Sequence, residues 1–202
     1  MHSVYLDCFS GGTGVIDLMF VLDGSGSIKN DRFSKVKQLV IAIVSQLEIR
    51  IDRTRVGVIY YSDYAVFAFN LIQYTIRQDL IQAINRINFI GNRTNTADAL
   101  RILHEQAFTP ENGDRPEVPN IAIVITDGAS NINPEQTPVQ AIICKQQNIR
   151  MITGTLGDFV NMVEIQMIAS RPLEKNIFVA LSYNDTERNK LALQLINSTV
   201  DG

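Results

Sequence analysis

The sequence predicts an α/β domain: a doubly wound, mostly parallel central sheet of about six strands with one antiparallel edge strand and helices on both faces. Three observations carry this. Strand-like and helix-like patterns alternate along the chain. The strand candidates are unbroken apolar runs, as expected of strands covered on both faces. One pair of strand candidates is separated by only three residues, too few for a parallel crossover. Alternation of this kind calls for right-handed crossovers with helices packed above and below the sheet.

The first strand is expected at residues 18–22, Leu-Met-Phe-Val-Leu. Phe33, Val36, Leu39, Val40, Ile43, Val44 and Leu47 then recur at three- and four-residue steps, the signature of an amphipathic helix of about five turns. Residues 55–61 and 65–71 read as two strands joined through Ser62-Asp63-Tyr64, a hairpin whose second member is the antiparallel edge. Helical spacing returns at Leu80, Ala83, Ile84 and Ile87, and again from Ala99 to Ala107 through Leu100, Ile102 and Leu103. The stretch from Pro110 to Pro119 carries Glu111, Asn112, Gly113 and Asp114 and reads as a breaker-rich surface loop. Strands at about 121–125, 151–156 and 176–181 then alternate with helices at about 137–147, 162–169 and 186–198. Residues 1–14 are expected to form an N-terminal extension and 15–202 the domain.

At 202 residues and 46% hydrophobic, the chain can build a full core without a disulfide framework. A net charge of −3 provides no basic footprint for nucleic acid or an anionic membrane. No apolar run approaches the roughly 20 residues of a membrane span, so no membrane insertion is expected. Residues 1–5 do not open a secretory leader, and the chain is expected to belong to a larger multidomain protein.

Chemistry concentrates in Asp23-Gly24-Ser25-Gly26-Ser27, directly after the first strand. Ligands of doubly wound sheets bind beyond the carboxyl ends of the strands, where strand order reverses. Asp127 follows the strand at 121–125, and Thr94 lies in the loop entering the helix at 99–103. If the first strand and the Asp127 strand are neighbours, Asp23, Ser25, Ser27, Thr94 and Asp127 converge. Two carboxylates and three hydroxyls are hard oxygen donors, suited to Mg2+, with Mn2+ and Ca2+ as alternatives. Two negative charges leave such an ion able to accept a further anionic oxygen. Gly24 and Gly26 are expected to let the loop turn tightly, so that side chains two apart face one point. No His or Cys lies nearby, which disfavours a soft-metal site. Taken singly, Thr94-Asn95-Thr96 and Asp127-Gly128 are also ordinary cap and turn sequences.

These motifs resemble the von Willebrand factor A domain, whose metal-ion-dependent adhesion site combines an Asp-x-Ser-x-Ser loop with a distant Thr and a distant Asp. The resemblance covers about residues 15–200. It rests on the segment from Val21 to Ile28, on that from Gly91 to Leu100, and on Val124-Ile125-Thr126-Asp127-Gly128. It implies that Asp23, Ser25, Ser27, Thr94 and Asp127 hold the ion, with Thr96 a neighbour. It also implies coupling of ligand exchange to movement of the last helix, and a role in adhesion. Residues 154–159 run directly into the helix at 162, leaving no room for the extra helix of collagen-binding integrin domains. The chain is therefore more similar to A domains of secreted extracellular matrix proteins. Its expected partner is a matrix protein, collagen among the candidates, that supplies a Glu or Asp carboxylate. A structural or assembly module with a stabilising metal is the alternative, and an intracellular A domain the more distant one.

An enzyme is not expected. Gly11-Gly12-Thr13-Gly14 precedes the first strand, whereas phosphate loops follow one, and no G-x-S-x-G elbow occurs. His104 reads as a surface residue, and Tyr60, Tyr61, Tyr64, Phe67 and Phe69 as strand filling. Asp31, Glu135 and Glu187 suit helix starts. Cys8 and Cys144 fall toward the end of the sheet opposite the strand tips, either as a disulfide or as two separate thiols. Three Asn-x-Ser/Thr sequons, at Asn92, Asn184 and Asn197, are candidate glycosylation sites. A glycan on Asn92 would crowd the metal face.

Overall fold

The computed structural model describes residues 15–157 and 160–200. Six strands form one sheet in the order β3-β2-β1-β4-β5-β6. These are β1 (Asp17–Asp23), β2 (Arg55–Tyr61), β3 (Ala65–Phe69), β4 (Asn120–Ile125), β5 (Ile149–Leu156) and β6 (Ile177–Ala180). Only β3 runs antiparallel, paired with β2 through the expected hairpin and with an irregularity in register at Val58 and Ile59. The helices are α1 (Asn30–Val44), α2 (Arg77–Asn85), α3 (Thr96–Ile102), α4 (Gln136–Gln146), α5 (Met162–Ile168) and α6 (Asp185–Val200). A single π turn, Leu103–Ala107, extends α3.

The continuous apolar strands are explained by two cores. On β1, Leu18, Phe20 and Leu22 pack with α1, α2 and α6, together with Ile121, Ile123 and Ile125 of β4. Met19 and Val21 face the other way, toward α3, α4 and α5, beside Ala122 and Val124. Every residue of β1 is buried, and each large side chain so placed contributes roughly 1.5–3 kcal/mol. Gly57 of β2 makes room for this layer, since a Cβ there would fall 2.4 Å from Met19 Sδ.

Three sequence expectations need correction. The loop between α3 and β4 is not merely a solvated connection. Arg115 reaches under the sheet, donating through Nη2 to Asp17 Oδ1 at 2.6 Å and to the Arg53 carbonyl at 2.7 Å, while its own N–H donates to Asp17 Oδ2 at 2.8 Å. His104 is half-buried, its Nε2 lying 2.7 Å from Gln140 Oε1, because the π turn directs it toward α4. Tyr64 is 58% exposed because it caps the hairpin instead of filling the strand layer.

β5 ends at Leu156 and α5 begins at Met162, in keeping with the short connection read from the sequence. Cys144 lies on α4 just before β5, fully buried, and donates through Sγ to the Leu100 carbonyl at 3.5 Å. Burial pushes its thiol up to about 12. Cys8, the other cysteine of the pairing left open by the sequence, lies outside the described residues. Among the described residues no helix is long and apolar enough to cross a membrane.

Candidate metal centre

The strand order reverses between β1 and β4, which are direct parallel neighbours in register from Asp17↔Asn120 to Leu22↔Ile125. Asp23 ends β1, and Asp127 follows β4 by two residues. The condition set by the sequence is therefore met, and the two carboxylates stand at the switch point.

The first loop is held from both sides. Gly24 N–H donates to the Tyr61 carbonyl at 2.8 Å, and the Gly24 carbonyl accepts from Gly91 N–H at 2.9 Å. Gly26 N–H donates to the Asn92 carbonyl at 2.7 Å. Within the loop, Ser25 N–H donates to Asp23 Oδ1 at 2.9 Å, and the Ser25 and Ser27 hydroxyls lie 3.1 Å apart. The two hydroxyls thus share one point, as their spacing predicts. The reason for the glycines differs from the expectation: neither Gly24 nor Gly26 has positive φ. A Cβ on Gly26 would instead fall 3.0 Å from the Gly91 carbonyl oxygen and 3.2 Å from that of Asn92. Close approach of two loops requires the glycine.

Thr94 belongs to that second loop. It is 2% exposed. Its N–H donates to Asn131 Oδ1 at 2.9 Å, while its carbonyl accepts from the N–H groups of Asn131 and Ile132, each at 3.0 Å. Asn131 follows Asp127 in the third loop, so the Thr94 loop is laced to both others. Asp127 Oδ1 accepts from Ala129 N–H at 3.1 Å, and its carbonyl accepts from Asn161 N–H at 2.8 Å. Thr96 is turned inward: its Oγ1 accepts from Ser130 Oγ at 2.6 Å and lies 3.3 Å from the Tyr61 hydroxyl. It supports the loops from beneath.

Sequence reasoning left three residues without a role. Thr126 donates through Oγ1 to Asp23 Oδ2 at 2.7 Å, and the same oxygen accepts from Gly128 N–H at 2.9 Å. Asn131 clamps Thr94. Glu164, in the first turn of α5, accepts through Oε2 from Ser130 N–H at 3.2 Å, whereas its Oε1 is buried with no hydrogen-bond partner. A carboxylate at a position where helical spacing calls for an apolar residue, beside Ile165 and ahead of Ile168, was the available signal.

Burial pushes the Asp23 carboxyl up to about 6, and the Asp127 carboxylate pushes it the same way. Among the described residues, hydrogen bonds from Ser25 and Thr126 oppose this, and they bring no positive charge. Among the described residues no cluster of three or more His, Cys, Asp or Glu forms. The donor set is therefore two carboxylates with hydroxyls, short of positive charge, and it fits a hard divalent cation better than a soft one. Asp23 and Ser25 are fully buried, and Asp127 is 8% exposed. Ser27 is exposed, leaving an approach from outside.

Comparison with known proteins agrees with this geometry. Residues 17–191 match the model of the von Willebrand factor type A domain. The chain is 32% identical to Matrilin-1 of Gallus gallus over 187 residues, covering 92% of this chain and 37% of that protein. It is 34% identical to the collagen alpha-6(VI) chain of Homo sapiens over 158 residues, covering 77% of this chain and 7% of that one. The chain thus spans well under half of these relatives. Among solved structures, proximal thread matrix protein 1 from the mussel byssus, with a zinc-occupied MIDAS motif, superposes with a TM-score of 0.84. Identity there is 21%, over 94% of this chain and 49% of that one. Manganese-loaded TRAP protein of Plasmodium vivax superposes with a TM-score of 0.75 at 18% identity, over 94% of this chain and 75% of that one. At these identities the superpositions speak for the fold. The match over most of the chain, the strand order and the loops at the switch point together place this chain in the von Willebrand factor type A domain family.

Proposed function

We propose that this domain is a non-enzymatic adhesion module of the extracellular matrix that holds a matrix protein through a divalent cation. Asp23, Ser25, Ser27, Thr94 and Asp127 would hold the ion, with Mg2+ the first choice and Mn2+ or Ca2+ as alternatives. When bound, the ion supplies an open position for a Glu or Asp carboxylate of the partner. The observation that carries the reading is the pair of carboxylates, Asp23 and Asp127, brought to the switch point with no salt bridge to either among the described residues. Its extracellular setting is supported by the likeness to matrilins and collagen VI, and collagen is a candidate partner. The short coverage of those relatives supports a place within a longer multidomain chain.

The test is binding of the folded domain to immobilised matrix proteins, collagens included, in Mg2+ and in EDTA, with Asp23→Ala alongside. Capture that disappears in EDTA and in D23A supports the reading; capture unchanged by either overturns it. Melting in the same buffers separates adhesion from a purely structural ion, which would raise the melting temperature and leave capture unchanged. An ion at about 100 times its Kd stabilises by about 2.7 kcal/mol.

A further inference from the structure

We infer that Asn92 carries an N-linked glycan, attached before the domain folds, which screens the metal face against broad partners. The gating part of this inference rests on the adhesion reading above.

Thr94 appears in two motifs at once. It is the hydroxyl residue of the Asn92-Arg93-Thr94 sequon and a candidate ligand of the ion. In the folded domain these uses exclude each other. Thr94 is 2% exposed, and its backbone is pinned on both sides by Asn131. The Asn92 backbone is equally held, its N–H donating to Ser62 Oγ at 3.0 Å and its carbonyl accepting from Gly26 N–H at 2.7 Å. A transferase that reads asparagine and threonine together has no access to this loop once it has closed. In the unfolded chain it does. Asn92 Nδ2 then attacks C1 of a lipid-pyrophosphate-linked oligosaccharide; the N–C1 bond forms, the C1–O bond to pyrophosphate breaks, lipid pyrophosphate leaves, and one Nδ2 proton passes to a base. Folding afterwards buries the same Thr94 in the loop where it is a candidate ligand.

The fold tolerates the product. Asn92 is exposed, and no hydrogen bond of its side chain is among those that hold the loop. Asn184 differs: its Nδ2 donates to Ser182 Oγ at 2.6 Å, and its Oδ1 caps Glu187 N–H at 2.9 Å. A sugar on Asn92 stands beside Gly26 and the exposed Ser27, at the rim of the face a partner must cover. It leaves room for a thin, protruding carboxylate and obstructs a broad surface.

The experiment uses the chain secreted from a glycosylating cell, with Asn92→Gln and Thr94→Ser variants. Glycopeptide mass spectrometry with and without amidase treatment reads the site. Binding is read in Mg2+ with a glutamate-containing peptide, free and coupled to a large carrier protein, and with Mg2+ alone by melting. The inference expects a glycan on the Asn92 peptide in wild type and T94S but not in N92Q. It also expects N92Q to capture the carrier-bound peptide about tenfold more tightly, with the free peptide and the melting shift unchanged. An unmodified Asn92 overturns the inference. So does a modified Asn92 whose removal leaves carrier-bound capture unchanged while the free peptide binds. If neither peptide form binds any variant in Mg2+, the adhesion reading fails and takes the gate with it, and the glycopeptide alone still decides the modification.

Discussion

Thr126 donates its hydroxyl hydrogen to Asp23 Oδ2 at 2.7 Å, joining the loop after β4 to the last residue of β1 across the point where strand order reverses. The bond is fully inside the protein, with Asp23 at 0% and Thr126 at 2% exposure. Because the same hydroxyl oxygen accepts from Gly128 N–H, one side chain sets both the carboxylate of the first loop and the backbone of the third.

Thr126→Val preserves shape and removes both bonds. Each buried group left unpaired costs about 1–3 kcal/mol, so urea denaturation should show a loss of that order or greater. Thr126→Ser should recover most of it. On the proposed function, the melting shift expected with Mg2+ should also shrink in T126V, because Asp23 is no longer held in place. A T126V variant as stable as wild type would mean that water replaces the hydroxyl.

The layer arrangement was legible because strands covered on two faces cannot alternate, and residues 18–22 and 121–125 show unbroken apolar runs. The loop after β1 stood out as a candidate site because Asp-x-Ser-x-Ser after such a strand has few structural uses, and the structure folds its two hydroxyls to within 3.1 Å of each other. Arg115 was not legible. Its neighbours Pro110, Glu111, Asn112, Gly113 and Asp114 have the composition of a solvated loop, and nothing local announces that one guanidinium will find Asp17 across 98 residues. Glu164 was hidden for a similar reason: its partner Ser130 is 34 residues away. Long-range polar pairing leaves no periodicity, so pattern reading finds cores and local motifs before it finds their braces.

Removing Arg115 should therefore be costly. Burial holds the Asp17 carboxyl above its ordinary value even with the guanidinium beside it. Arg115→Ala removes the guanidinium and leaves that buried carboxylate with the backbone N–H of residue 115 as its remaining donor from this loop, a loss of up to about 3–5 kcal/mol near neutral pH. The sign with pH follows from the raised folded value. Stability from such a carboxyl is complete below its unfolded value and is lost as pH rises through the folded one. The penalty in R115A should thus be smaller at about pH 3.5 than at about pH 7, as measured by denaturant titration at both. A penalty independent of pH would mean that Asp17 finds another donor.

Gly128 has φ of 72°, and a Cβ there would sit 2.9 Å from the Asn161 carbonyl oxygen and 3.1 Å from Ile165 Cδ1. Gly128→Ala combines a left-handed backbone with a clash against the start of α5, for about 1–3 kcal/mol. Since Asp127 precedes it directly, the melting shift that the proposed function expects with Mg2+ should fall as well. Loss of stability with an unchanged shift would separate α5 packing from the ion site.

Cys144 gives an alkaline signature. Its unfolded thiol ionises near 9.0, and burial pushes the folded one up to about 12. A raised folded value means that stability is complete below about pH 9 and is lost as pH climbs toward 12, by up to about 1.4 kcal/mol per pH unit. Tyr183 and Tyr61 are also raised by burial and act in the same direction. They are common to wild type and Cys144→Ala, so the comparison reads the thiol together with Lys145, whose ammonium is held down by burial and interacts with the charge of Cys144. Under reducing conditions, wild type should lose stability more steeply than C144A between about pH 9 and pH 11, whatever the offset from the cavity. Equal slopes would mean that the thiol ionises in place, which its full burial against the Leu100 carbonyl does not permit.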